Sequence, residues 1–215
     1  GRVAPSEALA TGAIVGVLSV VTMALAGGPL AAGLLAFSIV FYAVVYTMWL
    51  KRRTPQNIVI GGLAGALPPA VAWAAKTGAL GLDPVLLVLI IFLWTPPHFW
   101  ALALYQSADY AKAGVPMLPV TAGPAATRRQ ILLYSLVLAP LGLSPVLTGL
   151  GGWIYAGVAS VGGAGFLLLA FRLARSRAGE GASAPGEIYT AGPDDRHARN
   201  LFAFSILYLF ALFAA

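Results

Sequence analysis

Three cations stand side by side in Lys51-Arg52-Arg53, followed by Thr54-Pro55-Gln56-Asn57. Arginine can grip phosphate oxygens through two parallel hydrogen bonds, and lysine adds a compact charge, so the run suits a diphosphate. The same run would also serve as a topology anchor touching anionic lipid head groups. A second string, Trp94-Thr95-Pro96-Pro97-His98-Phe99-Trp100, places an ionisable ring beside two prolines in an apolar stretch. Prolines free helical carbonyls one turn back, so His98 either satisfies those carbonyls or meets a cofactor or substrate. A third, Asp109 to Val120, carries a lone carboxylate and then Gly114-Val115-Pro116-Met117-Leu118-Pro119. Asp109 can hold Mg²⁺, which takes one or two carboxylates together with substrate phosphates, or it can belong to a capped surface turn. Residues 114–119 have the make-up of a lid over such a site. In the fourth, Asp194-Asp195-Arg196-His197-Ala198-Arg199-Asn200, the paired acids either bind a cation or, the better reading, cap a following helix and favour its N-terminal dipole.

Aromatic residues interleave with these strings. Tyr42, Tyr46 and Trp49 share one face at helical spacing, and Phe92, Trp94, Phe99 and Trp100 surround the proline pair. Aromatic faces can stabilise an allylic cation through the ring quadrupole, and they also pack helices at membrane interfaces.

Lipid must position these residues. The chain of 215 residues is 60% hydrophobic and 9% charged, against roughly 25% charged in a soluble domain. Cysteine is absent, which excludes a disulfide framework and a thiolate metal site. Apolar runs near the length of a membrane crossing lie at 8–26, 31–50, 58–75, 84–104, 130–150 and 153–173, with a shorter seventh at 201–215. They lack the alternation of barrel strands, so an all-α bundle of about seven spans is expected.

Twelve of the thirteen Lys and Arg then fall on one set of alternate segments. These are Arg2; Lys51, Arg52 and Arg53; Lys112, Arg128 and Arg129; and Arg172, Arg175, Arg177, Arg196 and Arg199. Only Lys76 falls on the other set. The excess of positive charge puts the first set in the cytoplasm. The net charge of +6 therefore reports topology, not nucleic-acid binding. The long polar segments 105–129 and 174–199 lie on this face, and function is expected there. Residues 179–193, rich in Gly, Ala, Ser and Pro, are expected to be mobile. The pairs Gly12/Gly16 and Gly61/Gly65 have the spacing of close helix contacts.

Taken together, Tyr46 to Gly62, Gly65-Ala66-Leu67-Pro68-Pro69, Phe92 to Ala103, Asp109 to Val120, and the closing Ala198-Arg199-Asn200-Leu201-Phe202 with Ser205 and Tyr208-Leu209 resemble a known family. It is the protohaem IX farnesyltransferase (haem O synthase) branch of the intramembrane aromatic prenyltransferases, and the resemblance spans nearly the whole chain. It implies an all-helical membrane bundle with nine spans in the complete protein and a single prenyltransferase domain over 1–215. It implies transfer of a farnesyl group from farnesyl diphosphate to a vinyl group of haem B, giving haem O for terminal oxidases. Mg²⁺ would be held between two acidic motifs. The first of these would precede Gly1, because Gly1 to Ala8 resembles the segment that follows it. The chain is therefore expected to lack two N-terminal spans, and taken alone it could be inactive. Relatives often carry charged residues where this chain has Gln106-Ser107-Ala108.

The site residues expected on this basis are Asp109 as metal ligand, with Lys51 and Arg52 beside it in catalysis. Lys51, Arg52, Arg53, Thr54, Asn57 and Lys112 would contact the diphosphate, and His98 the haem. Expected partners are farnesyl diphosphate, haem B, membrane lipid, and haem A synthase or oxidase assembly factors. The expected location is the cell membrane, a bacterial inner membrane, with the active-site loops cytoplasmic. The rivals are a prenyltransferase acting on a quinone precursor, a transporter, and a non-catalytic assembly subunit. Few ionisable residues inside the spans and no inverted repeat argue against the transporter.

Overall fold

A backbone polar group without a partner costs several kcal/mol in lipid, so each apolar run should close its hydrogen bonds within itself. A computed structural model of the chain describes residues 4–181 and 192–215. Every regular element among them is helical. In chain order these are α1 (Pro5–Val40), a π-helical segment (Phe41–Leu50), α2 (Asn57–Ala66), α3 (Pro68–Thr77), α4 (Leu82–Tyr105) and α5 (Ser107–Lys112). They are followed by α6 (Leu118–Thr121), α7 (Pro124–Leu141), α8 (Ser144–Leu147), α9 (Trp153–Ala174) and α10 (Asp195–Ala214).

Six stretches among the described residues are long and apolar enough to cross a membrane, and the first, Pro5–Leu50, is 46 residues. Straight, it would reach about 70 Å, more than twice the roughly 30 Å hydrocarbon thickness. It is not straight. Gly28 adopts φ 83° and ψ 172°, a conformation that glycine tolerates best, and Pro29 follows with no N–H to carry the ladder on. The chain doubles back there, because a Cβ added at Gly16 would meet Ile39 Cγ2 at 3.8 Å. Residues 5–27 and 29–50 are therefore two crossings, and with the five later stretches the described residues make seven.

Three boundaries differ from the sequence expectation. The third crossing is two helices, since Pro68 begins α3 directly after Leu67 ends α2. The fifth starts at Pro124, not near 130, with proline at the start of the helix, so Arg128 and Arg129 lie inside α7. The seventh is not short: α10 starts at Asp195 and runs 20 residues, about 30 Å.

α4 lies at the centre, in contact with α2, α3, α7 and α10, while α7 and α10 both pack on α9. Ile90, Trp100, Leu104, Ile131, Leu138, Phe166, Leu173 and Leu201 fill this core and are almost wholly enclosed. Lipid is as apolar as leucine, so close packing holds the core together, not escape from water. Outward-facing side chains are correspondingly apolar, as with Leu25 at 85% and Trp153 at 94% exposure. Of the two glycine pairs, only one member each lies against a neighbour. Gly16 meets Ile39, and Gly61 meets the Tyr46 ring, leaving no room there for a Cβ.

The alternation of crossings puts the segments 51–56, 106–123, 175–181 and 192–194 at one end of the bundle. Residues 114–119 do not form a free lid. Met117 is 1% exposed, Leu118 and Pro119 are buried, and α6 packs on α4 and α7. Apolar side chains at 117 and 118 gain more from the core than from an exposed flap.

Candidate active site

The cationic turn is shaped by the segment before it. Phe41–Leu50 closes five-residue turns, and the last of these joins the Lys51 N–H to the Tyr46 carbonyl at 2.8 Å. The wide turn alters the side-chain period. Tyr42 and Tyr46 remain together with ring centroids 5.3 Å apart, while Trp49 is exposed and joins no ring pair among the described residues. Beyond Leu50 the backbone tightens, with the Arg53 N–H on the Leu50 carbonyl at 2.9 Å and the Asn57 N–H on the Thr54 carbonyl at 3.2 Å.

Lys51, Arg52 and Arg53 are exposed on this turn, and among the described residues none pairs with a carboxylate. Thr54 Oγ1 accepts the Gln56 N–H at 3.2 Å, which leaves its hydroxyl proton available. Asn57 lies differently from the expectation of a surface contact. It is 1% exposed, and its Nδ2 donates to the Lys51 carbonyl at 3.1 Å. Its position suits shaping the turn from beneath, and its Oδ1 is buried without a partner.

Asp109 sits in the first turn of the six-residue α5. It is exposed, and its side chain makes no ion pair among the described residues. Lys112 follows one turn later, also exposed. Between them Tyr110 is half-buried, and burial pushes its phenol up from 10.0, so the ring keeps its proton and its donor capacity. Ser107, at the start of α5, has a buried Oγ with no partner. A buried orphan of this kind costs about 1–3 kcal/mol.

No group of three or more His, Cys, Asp or Glu among the described residues could enclose a metal ion. A single exposed carboxylate does fit Mg²⁺ held mainly by diphosphate oxygens and water, the usual arrangement for that ion. It does not fit a metal caged by protein alone.

His98 lies in the seam between α4 and α10. It is 8% exposed, stacked between Trp94 at 4.2 Å and Phe202 at 4.6 Å, with the edge of Phe99 at 5.1 Å. Its Nδ1 is 2.6 Å from Ser205 Oγ. It does not serve the carbonyls freed by Pro96 and Pro97, around which α4 continues as one helix. Ser205 has one proton and places Oγ 2.6 Å from the Phe202 carbonyl, so that carbonyl takes it. Nδ1 is then the donor to Ser205, and Nε2 is left as an acceptor with no hydrogen bond among the described residues. The Trp94 indole N–H closes the arrangement on the Ser205 carbonyl at 2.8 Å.

The paired acids do something other than cap α10. No side-chain cap bond is made by Asp194 at the start of that helix. Its Oδ2 accepts the Arg177 N–H at 2.7 Å, and Asp195 accepts the Gly179 N–H at 3.0 Å and the Gly192 N–H at 2.8 Å. The described ends of the 179–193 stretch are therefore pinned, while residues 182–191, where mobility is also expected, lie outside the described residues. Arg128, expected as a topology charge, is 6% exposed and reaches the Ala178 carbonyl and Glu180 Oε1, each at 2.6 Å. Glu180 also takes Arg177 Nε at 2.9 Å. Hydrogen bonds from Arg177 and Arg128 hold the Glu180 carboxyl below its usual 4.5. Sequence reasoning missed this network because Arg128 beside Arg129 looks like any interfacial basic pair.

Comparison with known proteins follows the same residues. A model of the UbiA prenyltransferase family matches residues 1–185. Protoheme IX farnesyltransferase of Caulobacter sp. strain K31 is 62% identical over 228 residues, covering 100% of this chain and 66% of the relative. The protein of that name from Caulobacter vibrioides is 62% identical over 223 residues, covering 100% and 67%. That from Maricaulis maris is 61% identical over 216 residues, covering 100% and 66%. The chain thus spans about two thirds of the length of these curated relatives. No solved structure matches it. With a family model over most of its length and relatives at this identity, the chain belongs to the UbiA prenyltransferase family.

Proposed function

We propose that this chain is a single prenyltransferase domain that moves a farnesyl group from farnesyl diphosphate to a vinyl group of haem B, forming haem O. The names of the relatives support the substrates. The observation that carries the reading is the unpaired cationic turn Lys51-Arg52-Arg53 at the same end of the bundle as the exposed carboxylate of Asp109. That end faces the cytoplasm of a cell membrane in this reading, by the distribution of Lys and Arg.

Each residue then has a task. Lys51, Arg52 and Arg53 draw the diphosphate to the membrane face and stabilise the charge that builds on it as it leaves. Asn57 holds the turn's shape through the Lys51 carbonyl, and the Thr54 proton can reach a phosphate oxygen. Lys112 supplies a further cation from α5. Asp109 would hold Mg²⁺ against the diphosphate, where the ion neutralises leaving-group charge. The bond between farnesyl C1 and the diphosphate oxygen breaks, and the electron pair leaves with the oxygen. The vinyl carbon of the haem donates its π electrons to C1. Water adds to the cation that remains and releases a proton. His98, with Nδ1 pinned and Nε2 available, is the haem contact in this reading.

The test offers haem B and 4-hydroxybenzoate side by side to membranes containing the protein, with farnesyl diphosphate and Mg²⁺. A hydroxyethylfarnesyl haem is the expected product by mass spectrometry. Farnesylated benzoate with no farnesylated haem would overturn the reading.

A further inference from the structure

A second basic pocket opens on the α9 side of α10, away from the α4–α10 seam that holds His98. It has a volume of about 430 Å³. Arg172, Arg175 and His197 line it with Ser176, and Leu168 and Phe171 form its wall toward the membrane interior. Both arginines are exposed, and neither pairs with a carboxylate among the described residues. The Arg175 guanidinium is held over the Phe171 ring at 4.4 Å from the centroid, which fixes its position without neutralising it. Asp194 also lines the pocket, but its Oδ2 is engaged by the Arg177 N–H. Ser176 Oγ donates to the Leu173 carbonyl at 2.8 Å and accepts the Ala178 N–H at 3.3 Å, so it shapes the rim.

We propose that this pocket binds the phosphate headgroup of an anionic phospholipid, with the two guanidiniums on the phosphate and the acyl chains leaving along Leu168 and Phe171. The order of the residues carries the choice of ligand. Along α9 the apolar wall precedes the cations, so the site runs from hydrocarbon depth to the charged surface. A lipid spans both zones, and basic pockets between helices at this level suit anionic head groups. A free phosphate would leave the wall of Leu168 and Phe171 without a partner. The site stands apart from the proposed farnesyl transfer, since none of its residues belongs to the cationic turn, α5 or the His98 cluster.

The experiment titrates the full chain in detergent micelles with phosphatidylglycerol, phosphatidylcholine or inorganic phosphate, and reads bound lipid by native mass spectrometry. Phosphatidylglycerol should bind, and the double variant R172Q/R175Q should bind it about tenfold or more weakly. The single variant R129Q removes an exposed arginine of the same membrane face outside the pocket and should bind as the unaltered protein does. Equal weakening in R129Q, unchanged binding in the double variant, or equal affinity for phosphatidylcholine would each overturn the site. Thermal unfolding separates lipid from soluble phosphate. If inorganic phosphate in excess displaces the lipid and raises the unfolding midpoint by as much as the lipid does, the ligand is not a lipid.

Discussion

The same end of this bundle carries two clusters of basic residues with opposite fates. In one, Arg128 and Arg177 are tied to Glu180, while Asp194 and Asp195 collect backbone N–H groups from residues 177, 179 and 192. In the other, Lys51, Arg52 and Arg53 stand exposed with no acid beside them, and Asp109 stands exposed with no base. The first cluster has spent its charges on tying α7, α9 and α10 together. The second keeps them available, which is what binding a dianionic or trianionic leaving group requires. Charge count alone does not separate a fastening from a binding surface; whether each charge already has a partner does.

The largest expected effect lies in the open cluster. In the full-length enzyme, Asp109→Asn should reduce farnesyl transfer to less than about one hundredth, with membrane insertion intact, because the carboxylate is the proposed Mg²⁺ contact. Normal turnover in that variant removes the metal role. Replacing Lys51, Arg52 and Arg53 together by Gln should lower kcat/KM for farnesyl diphosphate by about 10²-fold while the thermal midpoint stays put. A large fall in stability with modest kinetic loss would put this turn in the same class as the paired cluster.

The closed cluster should show the reverse. Arg128→Ala is expected to destabilise the fold by about 2 kcal/mol, through loss of charged hydrogen bonds to the Ala178 carbonyl and Glu180. Unfolding in detergent, followed by circular dichroism, checks this, and an unchanged midpoint would deny the fastening. His98→Ala should weaken haem binding about tenfold in an absorbance titration, and an unaltered titration removes His98 from the site. The smallest effect concerns pH. Glu180 has its carboxyl depressed in the folded state, so its contribution is present above the ordinary value of 4.5 and fades as pH falls through the lower folded value. The unfolding midpoint should therefore drop on acidification in the unaltered protein and drop less steeply in Glu180→Gln.

Much of the fold was legible in the residues. Uniform apolar runs can only be helices in lipid, and the alternation of basic segments supports about seven of them. The reversal was visible as the break between the apolar runs at 8–26 and 31–50, and the structure places it at Gly28, whose φ of 83° and ψ of 172° interrupt the helix. The apolar run at 201–215 marks only part of α10, because the helix projects its first two turns, Asp195 to Phe202, into the polar interface. His98 was singled out by its depth, since an ionisable ring within an apolar run has few ordinary explanations. Its partners were not found, because Ser205 and Phe202 lie on a helix more than a hundred residues away and nothing local points to them.

By itself, then, the sequence determined the solvent, the number of crossings and the chemical types gathered at one end, because hydropathy and charge act residue by residue. Only tertiary structure decided which charges are already satisfied, that Met117 and Leu118 are core and not lid, that Asn57 works from beneath its turn, and which nitrogen of His98 is available. Those outcomes depend on which helices become neighbours, and packing between distant segments leaves no trace in local composition.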